Sequence, residues 1–119
     1  MSRDDHLLRS KSFDFALRIV KLSRYLRENH SEYVLSKQLL RSGTAIGALL
    51  REAQYAQSPA DFLHKFTIAL KEANETEYWL QLLHQSEYLT EKSYISIHND
   101  CKDLLRMLIA ATKTLKEKQ

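Results

Sequence analysis

Two glycines and one proline serve 119 residues, and that scarcity constrains this chain more than any motif in it. Ordinary chains carry about 7% glycine alone. Sheets and long loops need such punctuation at each reversal, so long helices with short connections are what remains. The two glycines also lie together. Gly43 and Gly47 are four residues apart inside Ser36–Ala53, SKQLLRSGTAIGALLREA, which otherwise reads as unbroken helix. Each interior glycine costs a helix roughly 0.5–1 kcal/mol relative to alanine. Two on one face therefore answer a geometric need, the close approach of another helix backbone or of a ligand. Lys37, Arg41, Arg51 and Glu52 exclude the membrane-helix use of this spacing. Close helix packing is the favoured reading, with ligand approach as the alternative.

Apolar periodicity places four helices. The first is predicted over about 12–28, with a turn around Leu7 and Leu8 before it. Phe15, Ile19, Leu22 and Leu26 centre its apolar face, and Phe13 and Val20 widen that face toward half the circumference. Such an arc reads either as deep packing or as an intersubunit contact. Opposite it, Arg18, Lys21, Arg24 and Arg27 follow at three-residue steps, as a solvated face or a nucleic-acid contact. The second helix is predicted over about 34–56, with Leu35, Leu39, Ser42, Ile46, Leu49 or Leu50, and Ala53 as its stripe. Ser58, Pro59 and Asp61 form the clearest start signal, opening a third helix over about 59–86. Trp79 stands beside Glu72 and Glu75 on its second face, as a subunit anchor or as an ordinary partly buried ring. Thr90 caps a fourth helix over about 91–116, with Lys102 and Arg106 on its far side. Short connections make sequence neighbours antiparallel. The predicted fold is therefore all-α, an up-down-up-down four-helix bundle formed as a single domain by residues 1–119.

These residues argue against catalysis. A di-iron bundle needs two Glu-x-x-His motifs and two further glutamates, whereas Asp61-x-x-His64 is the nearest approach and has no second copy. Cys101, the only cysteine, lies in an apolar stripe and reads as a small buried hydrophobe. No glycine-rich phosphate loop or nucleophile elbow exists. No enzyme activity, cofactor or metal is predicted. A lone cysteine and the charged start MSRDDHLLRSKS, which lacks the apolar segment of a secretion signal, fit a cytoplasmic setting. No apolar run approaches the ~20 residues of a membrane span. The net charge of +3 permits contact with nucleic acid without announcing it. Arg41 and Arg51 are expected to face Glu72 or Glu75 across the second and third helices, the alternative being solvated charges.

The stretch Ser36–Leu83 closely resembles the bacterial four-helix-bundle proteins related to the 23S rRNA intervening-sequence proteins. The resemblance rests on Gln38-Leu39-Leu40-Arg41-Ser42, Ile46-Gly47-Ala48, Arg51-Glu52-Ala53, Asp61-Phe62, Lys71-Glu72-Ala73 and Glu75-Thr76-Glu77-Tyr78-Trp79-Leu80. One departure matters: the family commonly reads Ser-Ile-Gly-Ala-Asn where this chain has Ala45-Ile46-Gly47-Ala48-Leu49. The resemblance implies a ring-like homopentamer and an RNA connection, but no established biochemical activity. A distant structural relative, the accessory protein of diversity-generating retroelements, forms a basic pentameric barrel that binds nucleic acid and a reverse transcriptase. The leading expectation is thus a non-enzymatic homo-oligomeric adaptor. It would bind RNA or DNA through Arg18, Lys21, Arg24 and Arg27, or through Lys102 and Arg106. Gly43, Gly47, Arg41, Glu72, Glu75 and Trp79 would serve helix packing or the oligomer. The alternative is a protein–protein scaffold for an unknown partner, with no nucleic-acid binding.

Overall fold

The computed structural model describes residues 3–119. Its four helices are α1 (Arg3–His30), α2 (Val34–Ala53), α3 (Pro59–Gln85) and α4 (Glu91–Glu117), and no strand occurs among the described residues. The molecule measures 46 × 22 × 19 Å. At 1.5 Å per residue α1, α3 and α4 span ~40 Å and α2 ~30 Å, so the helices run along the long axis. The connections, residues 31–33, 54–58 and 86–90, are too short to recross it, and each reverses the chain. The result is a four-helix bundle. α1 packs on α2, α2 on α3, α3 on α4 and α4 back on α1. The α1–α4 seam is the thinnest of the four.

The first helix begins at Arg3 rather than near Ser12, so the expected turn around Leu7 and Leu8 is helix. Two forces carry it. Asp4 and Asp5 sit in the first turn, where carboxylates favour the positive helix end. Leu8 then extends the stripe of Ser12, Phe15 and Ile19 by one more turn and is buried with them. At the other extreme, α2 stops at Ala53 instead of near Ala56. The amides of Gln54, Tyr55 and Ala56 fold back to Arg51, Glu52 and Ala53 carbonyls at 3.2, 3.0 and 3.1 Å, a tightened last turn.

Side chains close the helix ends. Ser58 Oγ accepts from the Asp61 amide at 3.0 Å while Asp61 accepts from the Gln57 amide at 3.1 Å, with Pro59 in the first turn. Thr90 Oγ1 accepts from the Ser93 amide at 3.1 Å. α2 is capped differently. Tyr33 supplies no side-chain cap. Instead the buried Glu32 carboxylate accepts from the amides of Val34, Leu35 and Ser36 at 3.1, 2.9 and 2.7 Å. Three of the four orphan donors of that terminus are thereby satisfied by one acid.

The core is a column of aliphatic side chains with Phe15, Phe66 and Cys101, and small residues where helices approach closely. A methyl group at Gly43 would lie 2.8 Å from both Cγ1 and Cγ2 of buried Ile19. At Gly47 it would lie 3.3 Å from Ser12 Oγ and 3.4 Å from the Ser12 carbonyl oxygen. The two glycines therefore let α1 lie against α2. Buried hydroxyls stitch the same layers. Ser23 Oγ donates to the Ser36 carbonyl at 3.2 Å, and Thr76 Oγ1 lies 2.9 Å from Ser42 Oγ across α2 and α3.

Candidate functional site

Arg18, Lys21, Arg24 and Arg27 of α1 do not share a face. Each three-residue step falls about 60° behind a full turn, so the series winds through about 180°. At one end Arg18 turns to α4, with Nη1 2.6 Å from Asp100 Oδ2 and Nη2 donating to Ser96 Oγ at 2.9 Å. It is a strut across the thin seam. At the other end Arg27 stays on its own helix, with Nε donating to the Ser23 carbonyl one turn back at 3.3 Å. Lys21 and Arg24 stand exposed between them. Lys102 and Arg106 are exposed on α4, and Arg106 pairs with Asp103 one turn away. The six cations thus do not share one surface.

Arg41 spans α2 and α3. Its Nη1 is 3.1 Å from Glu72, its Nη2 pairs with Glu75, and Trp79 Nε1 donates to the same Glu75 carboxylate at 3.0 Å. Desolvation pulls the guanidinium's pKa down, but Glu72 and Glu75 outweigh it and the net direction is up. Arg51 does not join them. Ten residues beyond Arg41, it points about 80° away round α2 and lies over the Phe13 ring of α1, 5.9 Å from its centroid.

That contact forms one wall of a groove of about 500 Å³ along the outside of the α1–α2 seam. Arg9, Phe13 and Ala16 line it from α1, Gly47 and Arg51 from α2, and Tyr55 from the turn that follows α2. Arg9 Nη2 meets His6 Nδ1 at 2.6 Å, but Arg9 Nε is buried with no hydrogen-bond partner, the only such side-chain atom among the described residues. Placing the helix start near Ser12 hid Arg9. The spacing Arg9, Phe13, Ala16, Val20 is the sequence signal that carries this second stripe. A larger, mainly apolar cleft of about 1120 Å³ lies where the ends of α1 and α4 part, between Leu7, Leu8, Met107 and Leu115.

Between α3 and α4, Tyr94 is stacked against His84 on one side (centroids 4.0 Å apart) and His98 on the other (4.8 Å). Each imidazole ends on a carboxylate, His84 on Glu91 at 2.8 Å and His98 on Glu77 at 3.0 Å. Burial, then the Glu77 charge, pushes the Tyr94 hydroxyl's pKa up. Cys101 is fully enclosed. Burial first, then Glu77 and Asp100, pushes its thiol up to about 12, so it is not a thiolate nucleophile near neutrality. Among the described residues no three histidine, cysteine, aspartate or glutamate side chains converge in a metal-binding group. No described helix is long and apolar enough to cross a membrane.

The sequence model for the 23S rRNA-intervening sequence proteins matches residues 4–110 of this chain. Among solved structures, the chain is similar to a protein of unknown function from the S23 ribosomal protein family of Bacteroides thetaiotaomicron. The two share 54% identity with a TM-score of 0.90, over 92% of this chain and 98% of that one. No curated protein matches it.

Proposed function

This chain belongs to the 23S rRNA-intervening sequence protein family, and from that footing we propose that it is a non-enzymatic, homo-oligomeric adaptor that binds nucleic acid through the outer α1–α2 face. One observation carries the proposal. Arg9 and Arg51 line the groove there, helical spacing sets Arg24 and Arg27 within about 60° of Arg9 on α1 and Lys37 within about 40° of Arg51 on α2, and none of the five is paired with a carboxylate among the described residues. Exposed Phe13 and Leu17 lie among them. Unpaired cations beside exposed rings suit a phosphate backbone with unstacked bases. Arg18, Arg41 and Arg106, each held by an acid of its own chain, are secondary in this reading. The family resemblance supports a ring of five copies, which would multiply a modest charge of +3 per chain.

Labelled single-stranded RNA and duplex DNA, titrated at several salt concentrations, test it. Affinity should fall with salt. Replacing both Arg24 and Arg27 by glutamine should reduce the slope of log K against log salt by ~1.4–1.8. The pair Lys102→Gln and Arg106→Gln should change it less. Absence of affinity at low salt would overturn nucleic-acid binding and leave the protein-scaffold reading, which the exposure of Val34 (73%) and Tyr55 (83%) supports.

A further inference from the structure

We infer that the α1–α2 groove is a pocket for one nucleotide, with the phosphate on Arg9 and Arg51 and the base on the Phe13 ring. The inference rests on the nucleic-acid reading and names the site and strand form that reading leaves open. Three features converge. Arg9 Nε is a buried donor lacking an acceptor, and such a donor costs ~1–3 kcal/mol unless something accepts from it. A phosphate oxygen is the acceptor that suits a guanidinium fork. Second, Phe13 is 53% exposed on the groove wall, a large apolar surface that the fold covers only in part. Third, Arg51 already lies over that ring, so the second guanidinium is placed beside the platform before any ligand arrives. A volume of about 500 Å³ lies within the range of small-molecule pockets.

An acidic peptide would use the arginines but leave the ring without a flat partner. A base within a duplex cannot reach the ring, because both its faces are already stacked. The ligand is therefore an unstacked nucleotide, either free or within a single strand. Glu52 also lines the groove and opposes the phosphate charge. Glu52→Gln should accordingly tighten binding.

The test is fluorescence anisotropy on the full chain, with a labelled 12-residue oligouridylate, a duplex of equal length, and uridine 5′-monophosphate as competitor. Phe13→Ala should weaken single-strand binding about 5- to 150-fold, the range for losing one stacked base, and leave duplex binding within about twofold. Arg9→Lys keeps the charge but loses the Nε donor, so affinity should fall while the salt slope stays. Competition by the monophosphate would identify a free nucleotide as sufficient, and competition only by unlabelled oligouridylate would identify the strand. Both groove side chains lie outside the core cluster, and unchanged thermal unfolding of the variants would separate binding loss from misfolding. Single-strand affinity unaltered in correctly folded Phe13→Ala and Arg9→Lys would overturn the pocket while nucleic-acid binding stood. No affinity of the unmodified protein for any of the three probes at low salt would overturn both.

Discussion

At Gly43 the nearest atoms to an added methyl are the two γ-carbons of Ile19, both at 2.8 Å. A β-branched side chain held in a helix has one strongly preferred rotamer and cannot swing clear. Gly43→Ala should therefore destabilise the protein by about 1–3 kcal/mol in urea unfolding, despite alanine's better helix propensity. Gly47→Ala, meeting Ser12 at ordinary to slightly tight distances, should stay within about 1 kcal/mol. Equal losses at both positions would contradict the Ile19 contact as the cause. Cys101 makes a separate residue-scale prediction. Its thiol pKa rises from 9.0 to about 12 on folding, so the folded state holds a proton that the unfolded state releases first. That contribution is fully present below pH 9 and is lost as pH rises toward 12, at up to about 1.4 kcal/mol per pH unit. Cys101→Ala should flatten the alkaline limb of a stability–pH curve. An unchanged limb would show that other groups, Tyr94 included, dominate it.

Among the elements, the end of α3 carries an avoidable strain. The Tyr88 amide returns to the Leu83 carbonyl at 2.9 Å and the Glu87 amide to His84 at 3.1 Å, a Schellman closure. Glu87 occupies its left-handed position with φ of 69°, where a residue with a Cβ is disfavoured by about 1–2 kcal/mol. Glu87→Gly should raise stability by about 1 kcal/mol, read as a higher urea midpoint at constant slope. No gain would mean that glycine's greater freedom in the unfolded chain offsets the relief. α2 shows how little of an element's end is visible in residue type alone. The acid that caps it, Glu32, is two residues before the first helical position, and its three amide partners emerge only once His30 and Ser31 have turned the chain. Ser58-Pro59-Asp61 needed no such turn, because its capping residues are adjacent to the helix they start.

For the whole molecule, the thin α1–α4 seam contrasts with the close α1–α2 seam. On the first, Arg18 reaches Asp100 and Ser96 where side chains are about half exposed, and an ion pair so placed contributes little. Large apolar side chains also remain outside, Leu17, Val34, Ile95 and Ile109 among them. Surface of that kind is what association covers. Native mass spectrometry at micromolar concentration should therefore find a homo-oligomer, five copies on the family resemblance, and a monomer alone would contradict the proposed ring. The proposed multivalent binding depends on it, since a single face at this net charge would hold a phosphate chain weakly.

Helix number, the apolar stripes, the Ser58 and Thr90 caps and the family were all legible in the residues. Each depends on neighbours within a turn or two, and a chain with two glycines and one proline had few other local options. The first helix start was misplaced because Leu8 becomes a core residue only through contacts from other helices. What the residues could not disclose is how cations with the same formal charge divide. Arg18 turns inward to Asp100, Arg41 to Glu72 and Glu75, and Arg51 to the Phe13 ring. Periodicity assigns a side chain to a face, but a partner on another helix decides whether its charge is spent or available. The glycine pair joins the two levels. Its spacing announced a close neighbour, and only the packed bundle identified that neighbour as Ser12 and Ile19 of α1, with a groove along the outer side of the seam.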